Sequence, residues 1–325
     1  MAKFDLSDDG VVVIIGSGAG GGTLGNELAQ KGVKVVCLEA GSRLKLSDIT
    51  NGGEMFAKLS WLDPRVGSGD LDPGLPAWIC KTVGGTTVHW AGAALRLQPH
   101  EFKALSTYGH VPGANLDDWP VTYDEMAPYY DRAEDKMGVT GTHGIPRLPG
   151  SNNYKVFEKG ALALGYKEVH TGRMAINSQP RADRPGCQQI GFCFQGCKSS
   201  AKWSTLYTEI PAALDTGKLE LRPQCMALQI QHDASGKVTG VLYVDKDGKQ
   251  QVQKARVVAV AGNSIESPRL LLNSASSKFP DGLGNSSGQV GKHYMRHLTG
   301  SVYAAFERPV HMFRGTTMAG IVRDE

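Results

Sequence analysis

Glycines near the N-terminus are spaced for contact with a phosphate group. Residues 16–21 read Gly-Ser-Gly-Ala-Gly-Gly, so Gly16, Gly18 and Gly21 fill the three glycine positions of a G-x-G-x-x-G motif. In this motif the glycines allow a tight turn, close approach to a pyrophosphate, and close packing of helix against strand. Glu39 follows 18 residues after Gly21, and its carboxylate can accept hydrogen bonds from a ribose. The pattern predicts a dinucleotide site. It does not separate FAD from NAD, and a glycine-rich turn without a ligand is the alternative.

Three of the six cysteines lie within eleven residues. Cys187, Cys193 and Cys197 are spaced C-x5-C-x3-C in a segment rich in Gly and Gln. Thiolates are soft ligands that suit iron–sulfur clusters, and three of them fit a three-iron cluster or a site with a fourth ligand elsewhere. Buried thiols, or a zinc site that lacks one ligand, are the alternatives. The remaining cysteines are expected to be packing residues: Cys37, Cys80 and Cys225.

A β-α-β unit is predicted to position the glycine motif and Glu39. The apolar run of residues 11–16 predicts a strand buried on both faces, a helix extends to about Lys31, and residues 33–38 form a second strand. The region 42–80 is predicted to be irregular. A helix is expected to begin at Thr122, which forms a capping box with Glu125. Residues 176–200 are expected to form a loop.

Further strands are predicted in the second half of the chain. They cover residues 219–221, 227–231, 241–244, 250–253 and 256–261, with a tight hairpin at Asp247-Gly248 and a helix over 266–274. The expected α/β fold is a discontinuous Rossmann-like nucleotide-binding domain with a β-meander, plus a partial α+β substrate domain. Its predicted boundaries are 1–98 and 205–298 for the first domain. Residues 99–204 form an insertion with the cysteine cluster, and 299–325 begin a truncated substrate domain with new strands.

Composition excludes several classes of protein. The 325 residues are 41% hydrophobic and 21% charged, with a formal net charge of +3. Because no long basic run occurs, we expect no nucleic-acid partner. No stretch of 18 apolar residues occurs, so no membrane-spanning helix is expected. Residues 1–9 lack the basic start and apolar core of a secretory signal, so we expect the chain to stay in the cytoplasm or to be exported with another protein.

Two longer segments resemble signatures of the glucose–methanol–choline (GMC) oxidoreductase family. Residues 81–96 read KTVGGTTVHWAGAALR and are similar to the first signature. Residues 263–275, NSIESPRLLLNSA, are similar to the second, with Asn263 and Ala275 where glycine is usual. Residues 118–130 and 290–297 are also similar to bacterial members. The resemblance implies an FAD-binding domain and oxidation of a CH–OH group with hydride transfer to flavin N5.

The resemblance also implies roles for individual residues. Gly84, Gly85 and Thr86 would lie near the flavin and its pyrophosphate. The segment at Met226 would meet the adenine, and two residues of the final strand would close over the cofactor, namely Ala261 and Gly262. His89 is either packed beside the flavin ring or joined to it covalently, as the corresponding histidine is in some relatives.

The similarity is closest to the catalytic subunits of bacterial FAD-dependent glucose and gluconate dehydrogenases. It implies a sugar, sugar acid or other alcohol as substrate, and a [3Fe–4S] cluster on the three clustered cysteines. It further implies a small subunit that carries the export signal, a cytochrome c subunit, and a periplasmic position at the inner membrane. A GMC oxidase that uses oxygen and a non-catalytic flavin-binding fragment remain alternatives.

No catalytic base is assigned. In the family the proton acceptor is a histidine in a C-terminal H-x-x-G-T-like segment, and no such segment occurs in this sequence. The surroundings of His293, His297 and His311 do not match it. We therefore expect this chain to be a fragment that has no turnover by itself.

Overall fold

The computed structural model describes residues 3–62, 78–295 and 300–323. The chain forms two compact units. The first contains Met1–Trp90, Phe194–Lys198 and Ser204–Arg296, and the second contains Ala91–Cys193, Ser199–Trp203 and His297–Glu325. The domain boundaries drawn from the sequence remain predictions, and His297 lies outside the described residues.

A parallel four-stranded sheet forms the centre of the first unit. Its strand order is β10-β1-β2-β6, with β1 at Val12–Ile15, β2 at Val35–Glu39, β6 at Leu219–Pro223 and β10 at Val257–Val260. Helix α1, Ala19–Gln30, connects β1 to β2. The two central strands are almost wholly buried because their apolar side chains are covered on both faces. This confirms the β-α-β unit that the apolar runs predicted.

An antiparallel meander packs beside the sheet. It consists of β7 (Met226–His232), β8 (Val238–Val244) and β9 (Gln250–Lys254). At the predicted hairpin, Gly248 has a φ of 77° and its N–H donates to the carbonyl of Asp245. One core joins both layers through residues such as Val13, Leu38 and Val241. Helix α7, Asn263–Asn273, follows β10 and contacts β7.

Parts of the first unit differ from the sequence-based expectations. Helix α6, Glu209–Asp215, precedes β6, and β6 pairs in parallel with β2. A strand reached through a helical crossover returns in the same direction, which explains the parallel pairing. The region expected to be irregular contains α2 (Gly53–Leu59), β3 (Ser60–Leu62) and β4 (Trp78–Cys80), of which β3 and β4 pair antiparallel. Strand β10 is more exposed than expected because it lies at the edge of the sheet.

The second unit contains helices and few strands. Its helices are α3 (Ala104–Tyr108), α4 (Tyr123–Met137) and α5 (Asn152–Ala163). The predicted capping box is confirmed, since Thr122 Oγ1 accepts from Glu125 N at 3.2 Å and Glu125 Oε2 accepts from Thr122 N at 2.7 Å. The short strands β5 (Val169–His170) and β11 (Ile321–Val322) pair antiparallel. None of the described helices is both long and apolar enough to span a bilayer.

The strands expected after residue 299 are mostly not formed. Of the described residues 300–323, only β11 is a strand. Val302 and Tyr303 are 98% and 93% exposed, so these apolar side chains have no sheet or core against which to form a strand.

Candidate cofactor-binding site

A cavity of about 280 Å³ lies in the first unit at the carboxyl ends of the parallel strands. In open α/β sheets this edge is where ligands bind. Six segments of the chain form its wall, together with Glu266, Arg269 and Leu270; the segments are 15–20, 38–40, 79–81, 85–86, 225–227 and 260–263.

The glycine turn between β1 and α1 leaves no room for side chains. Gly16 has a φ of +97°, and a Cβ there would lie 2.4 Å from the carbonyl oxygen of Ala261. A Cβ on Gly21 would lie 1.9 Å from the carbonyl oxygen of Gly16. Helix α1 then begins at Ala19, and no described side chain caps its N-terminus. Its first N–H groups lack intrahelical acceptors, so they suit a phosphate placed in the cavity.

Glu39 ends β2 in the cavity wall and is 6% exposed. Its Oε2 accepts hydrogen bonds from Ser17 N at 3.1 Å and Ser17 Oγ at 2.6 Å, and its Oε1 accepts from Gly41 N at 2.8 Å. Burial raises the pKa of Glu39 above its ordinary value, although the bonds from Ser17 and Gly41 and the charge of Lys81 oppose that shift. A carboxylate has about four acceptor sites. These three donors leave capacity for a ligand hydroxyl.

The segment 84–89 forms a turn and a short 3₁₀ helix beside the glycine motif. Gly84 has a φ of +94°, and its N–H donates to Ser17 Oγ at 3.0 Å. Gly85 and Thr86 line the cavity. A Cβ on Gly85 would lie 3.0 Å from the Cα of Gly18, so the two backbones lie close together. His89 is 3% exposed and is not part of the cavity wall, so its proposed relation to the flavin stays a prediction.

The rest of the cavity wall comes from β7, the end of β10 and α7. It includes the predicted residues Met226, Ala261 and Gly262. Sequence reasoning did not single out two charged residues of this wall, Glu266 and Arg269, which form an ion pair with 2.6 Å between Glu266 Oε2 and Arg269 Nη2. Their three-residue spacing on a predicted helix was the available signal. Ser17 was also missed, although it lies inside the glycine motif.

The three clustered cysteines are divided between the units. Cys187 and Cys193 belong to the second unit and Cys197 to the first, and all three are half-buried and outside any disulfide. Gln189 N donates to Cys187 Sγ at 3.4 Å, and Lys202 Nζ donates to the carbonyl oxygen of Cys193 at 2.5 Å. Burial raises the pKa of the Cys37 and Cys225 thiols, which agrees with their expected packing role.

A different group of possible metal ligands occurs in the second unit. Within the described ranges, Asp131, Glu134 and His143 are the one set of three such side chains whose ligand atoms all lie within 4.8 Å. Two arginines already neutralise it, since Arg96 Nη2 lies 2.7 Å from Glu134 Oε2 and Arg173 Nη2 lies 2.7 Å from the same atom. Burial raises the pKa of Glu134, but the arginines bring it below its ordinary value. The group is an ion-pair network.

The fold and the site together define a Rossmann-type dinucleotide-binding unit with a meander. Residues 75–299 match the family described as GMC oxidoreductase. The chain therefore belongs to the GMC family of FAD-dependent oxidoreductases, which act on alcohols or sugars. The resemblance found in residues 81–96 and 263–275 is thus confirmed at the level of the family.

Individual relatives agree with this assignment. The chain is 33% identical over 318 residues to 2-methyl-1,2-propanediol dehydrogenase of Mycolicibacterium austroafricanum, a match that covers 90% of this chain and 56% of that protein. It is 30% identical over 334 residues to the fructose dehydrogenase large subunit of Gluconobacter japonicus, covering 91% and 60%. Pyridoxine 4-oxidase from Mesorbium loti shares the fold, with a TM-score of 0.55, 18% identity, and coverage of 82% and 52%. The chain spans a little over half the length of these relatives.

Proposed function

We propose that the protein is an FAD-dependent dehydrogenase that oxidises the CH–OH group of a sugar, sugar acid or other alcohol. The observation that carries this proposal is the cavity at the carboxyl ends of β1 and β2. It combines a turn that only glycine fits, an uncapped helix N-terminus and a buried acceptor at Glu39. These are the groups that recognise a pyrophosphate and a ribose.

Different residues of the cavity would contact different parts of FAD. Glu39 would accept hydrogen bonds from the adenosine ribose, while the N–H groups at the start of α1 would hold the pyrophosphate. Gly85 lies close to Gly18, and Thr86 also lines the cavity, so both would contact the part of the cofactor beyond the adenosine. When bound, FAD would supply the acceptor for hydride from the substrate carbon. The chain supplies the orientation of that cofactor through rigid backbone contacts.

The first test is cofactor binding by the purified protein. We expect flavin absorbance and tight binding of FAD, with no competition from NAD. Glu39→Gln should weaken FAD binding by about tenfold or more, because a hydrogen bond to a charged acceptor contributes roughly 1.5–3 kcal/mol. Glu307→Gln, at an exposed position in the second unit, is the matched control and should bind FAD as the unchanged protein does. A colourless protein that binds NAD in preference would overturn the proposal.

The electron acceptor is the second part of the proposal. We propose a one-electron route through an iron–sulfur cluster held by Cys187, Cys193 and Cys197. What supports it is the spacing of the three cysteines and the chemistry of their side chains, which are thiols outside any disulfide and are the ligand type that an iron–sulfur cluster requires. Iron analysis and electron paramagnetic resonance should detect the cluster, and Cys193→Ser should lower the iron content while FAD remains bound. An iron-free protein that retains FAD would refute the relay.

Reduction of an artificial dye distinguishes a dehydrogenase from an oxidase. A dehydrogenase should reduce the dye with a sugar or alcohol present and should release little hydrogen peroxide in air. Stoichiometric peroxide would instead favour the oxidase alternative. The substrate panel should use the protein with any residues that follow Glu325 in its gene, because the relatives are longer.

Partner subunits and a periplasmic position at the inner membrane form the last part of the proposal. One relative, fructose dehydrogenase, is named by its large subunit, which supports a multi-subunit assembly. We expect the protein to co-purify with a c-type haem protein from the inner-membrane fraction. Recovery of the protein alone from the cytoplasm would contradict it.

A further inference from the structure

One buried hydroxyl links the glycine turn to Glu39 and to the turn at Gly84. Ser17 is wholly buried in the glycine turn. Its Oγ donates to Glu39 Oε2 at 2.6 Å and accepts from Gly84 N at 3.0 Å. A serine hydroxyl has a single proton. That proton is committed to the carboxylate, while the oxygen remains the acceptor for the glycine turn.

A second set of buried hydroxyls holds the backbone of Ser17. Thr205 Oγ1 donates to the carbonyl oxygen of Ser17 at 2.8 Å, and Thr205 N donates to Thr87 Oγ1 at 3.3 Å. Thr87 Oγ1 donates to the carbonyl oxygen of Gly84 and lies 2.8 Å from Ser204 Oγ. All of these side chains are buried. The network therefore connects three segments that are far apart in sequence.

This arrangement orients Glu39 without the ligand. Glu39 extends from the end of β2, and without Ser17 its Oε2 would lose both a hydroxyl bond and the partner that links it to Gly84. Buried charged groups are costly when their hydrogen bonds are missing. A Glu39 without this partner would turn toward other donors or take up a proton, and either change weakens the acceptor that a ribose hydroxyl needs.

We propose that Ser17 is a positioning residue for the adenosine half of the cofactor, acting through Glu39. This inference rests on the proposed FAD site and assigns a role to the residue between the first two glycines of the motif. Ser17 need not touch the cofactor. Its effect comes from holding the Glu39 carboxylate in the position that FAD requires.

A double-mutant cycle tests this role. The dissociation constants of FAD and ADP are measured by fluorescence titration or calorimetry for the unchanged protein, Ser17→Ala, Glu39→Gln and the double variant. We expect Ser17→Ala to weaken both ligands about tenfold or more. The double variant should be no more than about twofold weaker than Glu39→Gln, because Ser17 has no carboxylate left to position. Losses that multiply would show that Ser17 acts independently of Glu39 and would overturn the proposal.

Two further variants separate positioning from general stability. Ser17→Cys keeps the approximate size of the side chain but is a weak donor, so it should lose ligand affinity as Ser17→Ala does. Ile210→Val trims a buried core side chain that belongs neither to the cavity wall nor to the Ser17 network. It should lower the unfolding midpoint yet leave FAD affinity within about threefold. Unchanged affinity in a folded Ser17→Ala would refute the inference, and failure of the unchanged protein to bind either ligand would refute the FAD site itself.

Discussion

Gly21→Ala is the sharpest test of the structure around the glycine turn. The added Cβ would lie 1.9 Å from the carbonyl oxygen of Gly16, 3.0 Å from its carbonyl carbon and 3.1 Å from the Cβ of Ala261. The carbonyl oxygen at 1.9 Å must move by about 1 Å, and it belongs to the backbone, so the turn itself has to shift. Overpacking of this kind costs roughly 1–3 kcal/mol, occasionally more. We expect a loss of this size in the free energy of unfolding, together with weaker binding of FAD, because the turn that must move lines the cavity.

Gly20→Ala is the matched control in the same first turn of α1. Nothing lies within 4 Å of a Cβ at Gly20. Since alanine is a better helix former than glycine by about 1 kcal/mol, this variant should be as stable as the unchanged protein or more so. Urea unfolding followed by circular dichroism gives both free energies, and FAD titration gives both affinities. If Gly21→Ala unfolds at the same urea concentration as Gly20→Ala and binds FAD equally well, the close contact between α1 and the turn is not present.

Three other substitutions probe separate parts of the protein. In the protein without FAD, burial raises the pKa of Glu39 above 4.5. The unfolded chain therefore releases this proton at a lower pH than the folded chain. The free energy of unfolding falls as pH rises from the pKa of Glu39 in the unfolded chain to its higher pKa in the folded chain. Glu39→Gln should gain stability relative to the unchanged protein from about pH 4.5 upward. A difference between the two urea midpoints that stays the same at every pH would exclude this. Arg96→Ala should lower the free energy of unfolding by about 3 kcal/mol, because it removes one partner of the buried Glu134, whereas Lys246→Ala breaks an exposed pair and should leave the midpoint unchanged. Asn263→Ala should destabilise more than Asn263→Gly in thermal unfolding, because alanine both loses the cap of α7 and strains a φ of +75°; equal melting temperatures would contradict this.

The parts of the fold predicted correctly are those whose signal is local. The apolar runs before Gly16 and Glu39 are short and continuous, as buried parallel strands require. Helix α6 was missed because it is seven residues long and contains Pro211, so no helical period develops. The parallel pairing of β6 with β2 depends on a partner some 180 residues away, and no local pattern encodes it.

The same distinction holds within the cavity. The three glycines could be placed from their spacing, because each meets a steric requirement of one turn. The role of Ser17 could not, because its hydroxyl partners lie 22 and 67 residues away in the chain. The clustered cysteines are also a local signal. Their spacing alone predicts a shared cluster, and that role stays a prediction.

Asn263 shows why a departure from a signature must be judged by what the position requires. Glycine is usual there, and the sequence alone presents Asn263 as a mismatch. The backbone has a φ of +75°, in the left-handed region that glycine occupies freely and that asparagine tolerates better than most residues. The Asn263 side chain also accepts hydrogen bonds from Ile265 N at 2.8 Å and Glu266 N at 3.0 Å, which glycine cannot do. Asparagine at this position therefore adopts the left-handed backbone that glycine would adopt, and its side chain adds a cap to α7 at the wall of the cavity. The difference from the signature is one of residue type and leaves the backbone geometry compatible with it.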